Sequence, residues 1–135
     1  MNIVKRTNQK NLGFNKSMEL RVNPKSNVTT LSSMFTKELN IQDNQTLGLT
    51  KENGQVYLVL CNDTDGFKVK DSQISTQQFG RELLEMTERI EDNVYIHYTI
   101  GNQVMLEGYN CWSLTFVRTS DLRKSTENVQ STIHI

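Results

Sequence analysis

Two histidines, two cysteines and a few clustered carboxylates are the side chains in this sequence that could carry chemistry. Asp63-Thr64-Asp65-Gly66 opens like a calcium loop, whose oxygen ligands recur at alternate residues and close on a bidentate Glu at the twelfth position. That position holds Ile74, so the segment reads as a turn. His97 lies between Ile96 and Tyr98 in a strand-like run, and neither it nor His134 has a Cys, His or carboxylate at a metal-ligand spacing. It reads as a structural or surface residue. Cys61 and Cys111 are 50 residues apart in apolar surroundings, which favours buried thiols over a disulfide. Glycine-rich phosphate loops and serine or cysteine nucleophile turns are missing from the pattern. The expectation is therefore a protein that is not an enzyme, with no catalytic, metal or cofactor site and no small-molecule substrate. Glu85, Glu88, Glu91 and Asp92 cluster where a helix should end, a place the helix dipole makes unfavourable for anions; a solvated acidic face is the plain reading. Trp112, Phe116, Tyr95 and Tyr98 interleave at strand spacing and read as core, not as a base-stacking platform.

The elements that must position these groups follow from periodicity. Met18, Leu20 and Val22 alternate with Glu19 and Arg21 as a half-buried strand that Asn23-Pro24 ends. A short strand over 27–30 leads into Leu31, Met34, Phe35 and Leu39, spaced as one helical face. Strands around 46–50 and 55–61 flank Asn53-Gly54, the strongest short hairpin signal, because both turn residues must tolerate positive φ. Val56 to Leu60 is apolar on both faces, so that strand should be central. Phe67 and Val69 then alternate with Lys68 and Lys70. Ser75 with Gln78 fits a capping box, and Phe79, Leu83, Met86 and Ile90 share a helical face that Asn93 ends. Val94 to Ile100 alternate as a strand, Gly101-Asn102 should turn, Val104 to Leu106 should return, Gly108 should turn again, and Cys111 to Val117 should form the last strand. Thr76 to Leu83 overlays Ser32 to Leu39 at an offset of 44, keeping the aromatic, the basic residue, Glu and Leu. The expected fold is α+β and β-rich, with duplicated strand-helix-hairpin units packed as a small barrel or sandwich carrying two short helices. Its divisions are a basic arm (1–16), a body of two similar halves (17–70 and 71–117) and a polar tail (118–135).

Composition and charge bear on partners. The 135 residues balance 15 cations against 15 anions and are 36% hydrophobic, which suits one folded domain. No apolar run is long enough for a membrane span, and the basic start has no hydrophobic core behind it. Neither a membrane nor a standard secretory route is expected. There is no alanine, one proline and 14 asparagines, a codon bias toward A/T that fits a phage, a mobile element or a low-G/C bacterium. Residues 1–37 hold seven cations and one anion, net +6, which leaves net −6 on the rest. A basic arm on an acidic body suits an acidic neighbour, self-association or nucleic acid. The candidate partner-binding residues are Lys5, Arg6, Phe14, Lys16, Arg21 and Lys25 at one end and Ile133 and Ile135 at the other.

The order from Asn27 to Leu60, with a strand, a short helix ending in Leu39-Asn40-Ile41, a polar link and a hairpin, resembles the AbrB-like looped-hinge (swapped-hairpin) domain of bacterial regulators. That resemblance implies DNA binding through Arg21, Lys25 and Lys37, although Leu31 stands where the family has proline. The wider pattern, with Gly66-Phe67-Lys68-Val69 and a second helix, also resembles small proteins encoded beside structural genes of crAss-like tailed phages. That likeness implies a non-enzymatic virion structural protein, an auxiliary or minor capsid protein that binds other capsid proteins through its arm and tail. It would reside in the virion, assembled in the bacterial cytoplasm; a looped-hinge transcriptional regulator, cytoplasmic, is the alternative.

Overall fold

A computed structural model describes residues 13–122. After one 3-10 turn, Phe14–Lys16, the chain forms β1 (Glu19–Asn23), β2 (Val28–Leu31), α1 (Ser33–Leu39), β3 (Thr46–Glu52), β4 (Gln55–Cys61), β5 (Gln73–Ile74), α2 (Gln77–Met86), β6 (Val94–Leu106) and β7 (Tyr109–Asp121). The strands make one antiparallel sheet in the order β3-β4-β7-β6-β1-β2-β5, curled into a half-barrel. Alternation decides its inner face: Leu20 and Val22, Leu58 and Leu60, Ile96, Tyr98 and Ile100, and Trp112 and Leu114 all turn inward and are buried. Both helices pack on that face. Phe35 of α1 sets its ring edge-on to Trp112 at 5.5 Å, and Phe79 of α2 meets Phe67 at 5.3 Å. Phe35 and Phe79, the matched aromatics of the overlay, are both fully buried.

The two sheet edges, β3 and β5, are linked by the segment between β4 and β5. Phe67 and Leu47 exchange backbone hydrogen bonds of 2.7 and 2.9 Å, and Lys70 does the same with Gln73 at 2.9 Å. Helix α2 covers the same opening, touching β2 and β3, and Lys51 Nζ donates to the Met86 carbonyl at its end. Among the described residues no helix is long and apolar enough to cross a membrane.

Several local expectations hold. Asn53 and Gly54 have φ of 51° and 84°, the paired left-handed geometry of a tight hairpin turn, and β4 lies inside the sheet between β3 and β7. Others are corrected. Leu31 ends β2 and is not the first helical residue; Ser32 caps α1, its hydroxyl accepting the Phe35 N–H. The cap of α2 is Thr76, with no side-chain capping bond, so Ser75 and Gln78 form no capping box. Helix α2 stops at Met86, well before Asn93, because Glu88 turns left-handed at φ 56°. Ile90 is consequently 92% exposed and belongs to no apolar face. Gly101-Asn102 is absorbed as an irregularity within a continuous β6, whose partner register slips between Ile100 and Gln103. The turn expected at Gly108 is present, with Glu107 and Gly108 at φ 49° and 87°, and it is where β6 reverses into β7. Strand β7 runs on to Asp121, so 118–121, expected in the tail, are part of the sheet.

Candidate functional site

The outer face of the sheet carries the densest polar arrangement, built where β1, β6 and β7 lie side by side. Register places Arg21 opposite His97 and His97 opposite Arg118, with Glu19 beside Thr99 and Ser120 opposite Tyr95. Alternation turns these side chains away from the core, and the 3-10 turn folds Phe14 over them, its ring 5.9 Å from that of His97. Glu19 and His97 are thereby 6% and 2% exposed.

Their hydrogen bonds form a chain. His97 Nδ1 lies 3.3 Å from Glu19 Oε1 and Nε2 lies 2.8 Å from Ser120 Oγ. The carboxylate cannot donate, so Nδ1 carries the proton and Nε2 accepts from the serine hydroxyl. Glu19 Oε2 accepts from Arg118 Nη1 at 2.9 Å and Ser17 Oγ at 3.0 Å. Burial works to raise the Glu19 carboxyl, but the bonds from Arg118 and Ser17, the Arg118 charge and the His97 contact together hold it below its ordinary value. His97 is held down by burial first, then by the Arg118 charge and more weakly by Arg21, against the pull of Glu19. Its resting form is neutral.

The order Ser120, His97, Glu19 is that of a nucleophile, base and acid. The surroundings oppose that use. A base in such a triad must become imidazolium as the reaction proceeds, whereas here two guanidinium groups disfavour that charge and Arg118 has already engaged the carboxylate. The arrangement is suited to locking β1, β6, β7 and the root of the arm together. Arg21 completes the lock, its guanidinium 4.7 Å from the Phe14 ring centre and 4.5 Å from that of Tyr95.

Among the residues expected to bind partners, Phe14 and Arg21 are brought together in this cluster. Lys16 is exposed and shares a shallow groove with Lys37, Ser33 and Met34. Lys25 stands exposed on the turn between β1 and β2. Lys5, Arg6, Ile133 and Ile135 lie outside the described residues. Tyr95, expected in the core, is on the outer face, while Tyr98 and Trp112 are buried inside. Glu19, Arg118 and Ser120 were not singled out by sequence; alternation puts Glu19 and Arg21 on one face, but their partners lie up to 99 residues away.

A second feature lies further along the same face. The tip of the β6–β7 hairpin leans over β3 and β4, leaving a groove of about 260 Å³ walled by Leu106 and Tyr109, floored by Val59, Cys61 and Cys111, and flanked by Glu52 and Glu107. Both cysteines are free thiols, Cys61 half-buried and Cys111 buried. Burial raises the pKa of each, which keeps them protonated and unreactive. In the 63–66 turn, Asp63 Oδ1 accepts the Asp65 N–H at 3.0 Å, so that carboxylate serves its own loop. Among the described residues no three His, Cys, Asp or Glu side chains are grouped to hold a metal. Searches of protein-family models, curated proteins and solved structures found no match to this chain.

Proposed function

We propose that this chain is a non-enzymatic structural protein of a phage particle, an auxiliary capsid protein that binds neighbouring subunits through its terminal segments. The observation that carries this reading is the outer end of the β6–β7 hairpin, where Val104, Met105 and Tyr109 are 42%, 61% and 48% exposed. Apolar side chains grouped on a projecting two-stranded ribbon are the kind of surface a neighbour covers. The reading is also supported by the charge-locked Ser120-His97-Glu19 chain, which favours rigidity over reaction. The finer architecture belongs with it: β2-α1-β3-β4 and β5-α2-β6-β7 follow one order with matched buried phenylalanines, which supports an internal duplication.

The test is mass spectrometry of purified particles from the infected host, with a tagged copy to follow incorporation. Presence in particles at a fixed ratio to the major capsid protein is expected; absence overturns the reading. A DNA-binding regulator is the second reading, favoured by Lys16 and Lys37 flanking one groove. It requires duplex binding that weakens steeply with salt, since each neutralised phosphate releases counterions.

A further inference from the structure

We infer that the groove beneath the β6–β7 hairpin tip receives the N-terminal arm of a second copy of this chain. The inference rests on the reading of the arm as a partner-binding segment and names its receptor. The groove joins an apolar floor of Val59, Cys61 and Cys111 to two carboxylates, Glu52 and Glu107, both exposed and without an ion pair among the described residues. Beside it, β3 beyond Leu47 has a strand partner only on its β4 side among the described residues. Such an edge accepts an extended segment, with pockets beside it reading alternate side chains. The arm supplies the complement: Ile3 and Val4 are β-branched, as added strands prefer, and whichever of them faces the groove is followed two residues on, on the same face, by a cation, Lys5 or Arg6, to meet the carboxylates. The pairing also matches the larger segregation of charge, a basic end on an acidic body.

Geometry favours a second copy over the same chain. The arm leaves the fold at Phe14, which is held against His97 and Arg21. Along β6, Val104 is seven residues beyond His97, about 23 Å, and β4 lies two strands to the side. Ile3 is ten residues from Gly13, a tether whose relaxed span is about 18 Å. Reaching its own groove, about 25 Å away, would stretch that tether beyond its relaxed span and lay it across the outer face, ordering the residues in it, whereas docking on a neighbour orders only the few that make contact. Arm root and groove occupy different parts of one face, so the contact is heterologous and repeats from copy to copy into a ring or a row.

Sedimentation of the full chain across a concentration series tests this. Reversible self-association is expected. Glu52→Lys with Glu107→Lys should weaken it by at least about ten-fold, as should Lys5→Glu with Arg6→Glu, because each places like charges in contact. All four changes together should restore it. Tyr109→Ser, at a half-exposed wall residue, provides a second route should the charge variants melt early. A chain that stays monomeric at every soluble concentration, or a four-fold variant that does not recover, overturns the inference. Self-association through the groove in a protein absent from particles would remove the virion reading and leave this one; a monomeric particle component would do the reverse.

Discussion

Replacing Glu19 with Gln is the sharpest probe of the outer-face lock. The wild-type carboxylate uses Oε1 for His97 and Oε2 for Arg118 and Ser17. An amide has one oxygen. With that oxygen toward His97, its NH2 group faces two donors; flipped, the oxygen keeps Arg118 and Ser17 while the NH2 group donates to Nδ1, and the other histidine tautomer then donates from Nε2 to the Ser120 hydroxyl. Either Arg118 and Ser17 meet an NH2 group or the histidine changes tautomer, and in both cases the charge that strengthens these bonds is gone. The Arg118 side chain is 44% exposed and can turn to water, so the loss is centred on the buried groups. Hydrogen bonds to a charged partner contribute about 1.5 to 3 kcal/mol, a fall of about 6 to 12 °C in Tm for a domain of this size. The pH dependence adds a signature. Both Glu19 and His97 bind protons less readily folded than unfolded, so each contributes stability that is present above its unfolded pKa, about 6.5 for histidine and 4.5 for glutamate. That stability is lost as pH falls toward the lowered folded values. Urea melts between pH 8 and 4 should show wild-type stability declining below about pH 6.5 and again below about pH 4.5. Glu19→Gln should make the second decline clearly shallower, leaving the smaller part that the Arg89-paired Glu91 contributes. A variant with wild-type midpoints and both declines undiminished would refute the lock.

Two further outcomes follow from packing. Gly80→Ala should destabilise despite a helix-propensity gain of about 1 kcal/mol, because its Cβ would run into the Asn27 carbonyl oxygen, a backbone atom that cannot swing aside; overpacking of that kind costs about 1 to 3 kcal/mol, and a raised Tm would contradict it. Trimming to 13–122 should leave Tm close to that of the full chain, while trimming to 18–117 should lower it markedly by removing Phe14, Arg118 and Ser120; equal melting of the two would show that the ends of the described fold contribute little.

What could be read from the sequence was local. Two-residue alternation located β1 and the first half of β6, a continuous apolar run located β4, and Asn53-Gly54 marked the β3–β4 hairpin because few other pairs accept two positive φ angles. Phe35 and Phe79 were legible as core because helical spacing lined them up with Leu39 and Leu83. Gly101-Asn102 misled for a physical reason: the same pair that suits a turn also suits an irregularity in a strand, and only the partner's register tells them apart. Ile90 fitted the helical period, but the period does not record that Glu88 breaks the helix before the residue is reached. The outer-face lock was illegible for a different reason. Alternation says which way Glu19 and His97 point, yet nothing in either neighbourhood announces that strands 78 residues apart lie side by side.

The direction of the strands that carry the two ends bears on how this protein would respond to a pull. Strands β1 and β7 both run antiparallel to β6, which lies between them, so they run the same way as each other. The arm joins the start of β1 and the tail leaves the end of β7. Tension applied between the termini therefore slides β1 and β7 past β6 in opposite senses along the strand axis. Rows of hydrogen bonds on both sides of β6 bear the load at once instead of opening one after another like a zipper. A subunit strung between neighbours by its ends would then resist stretching along the direction in which it is strongest.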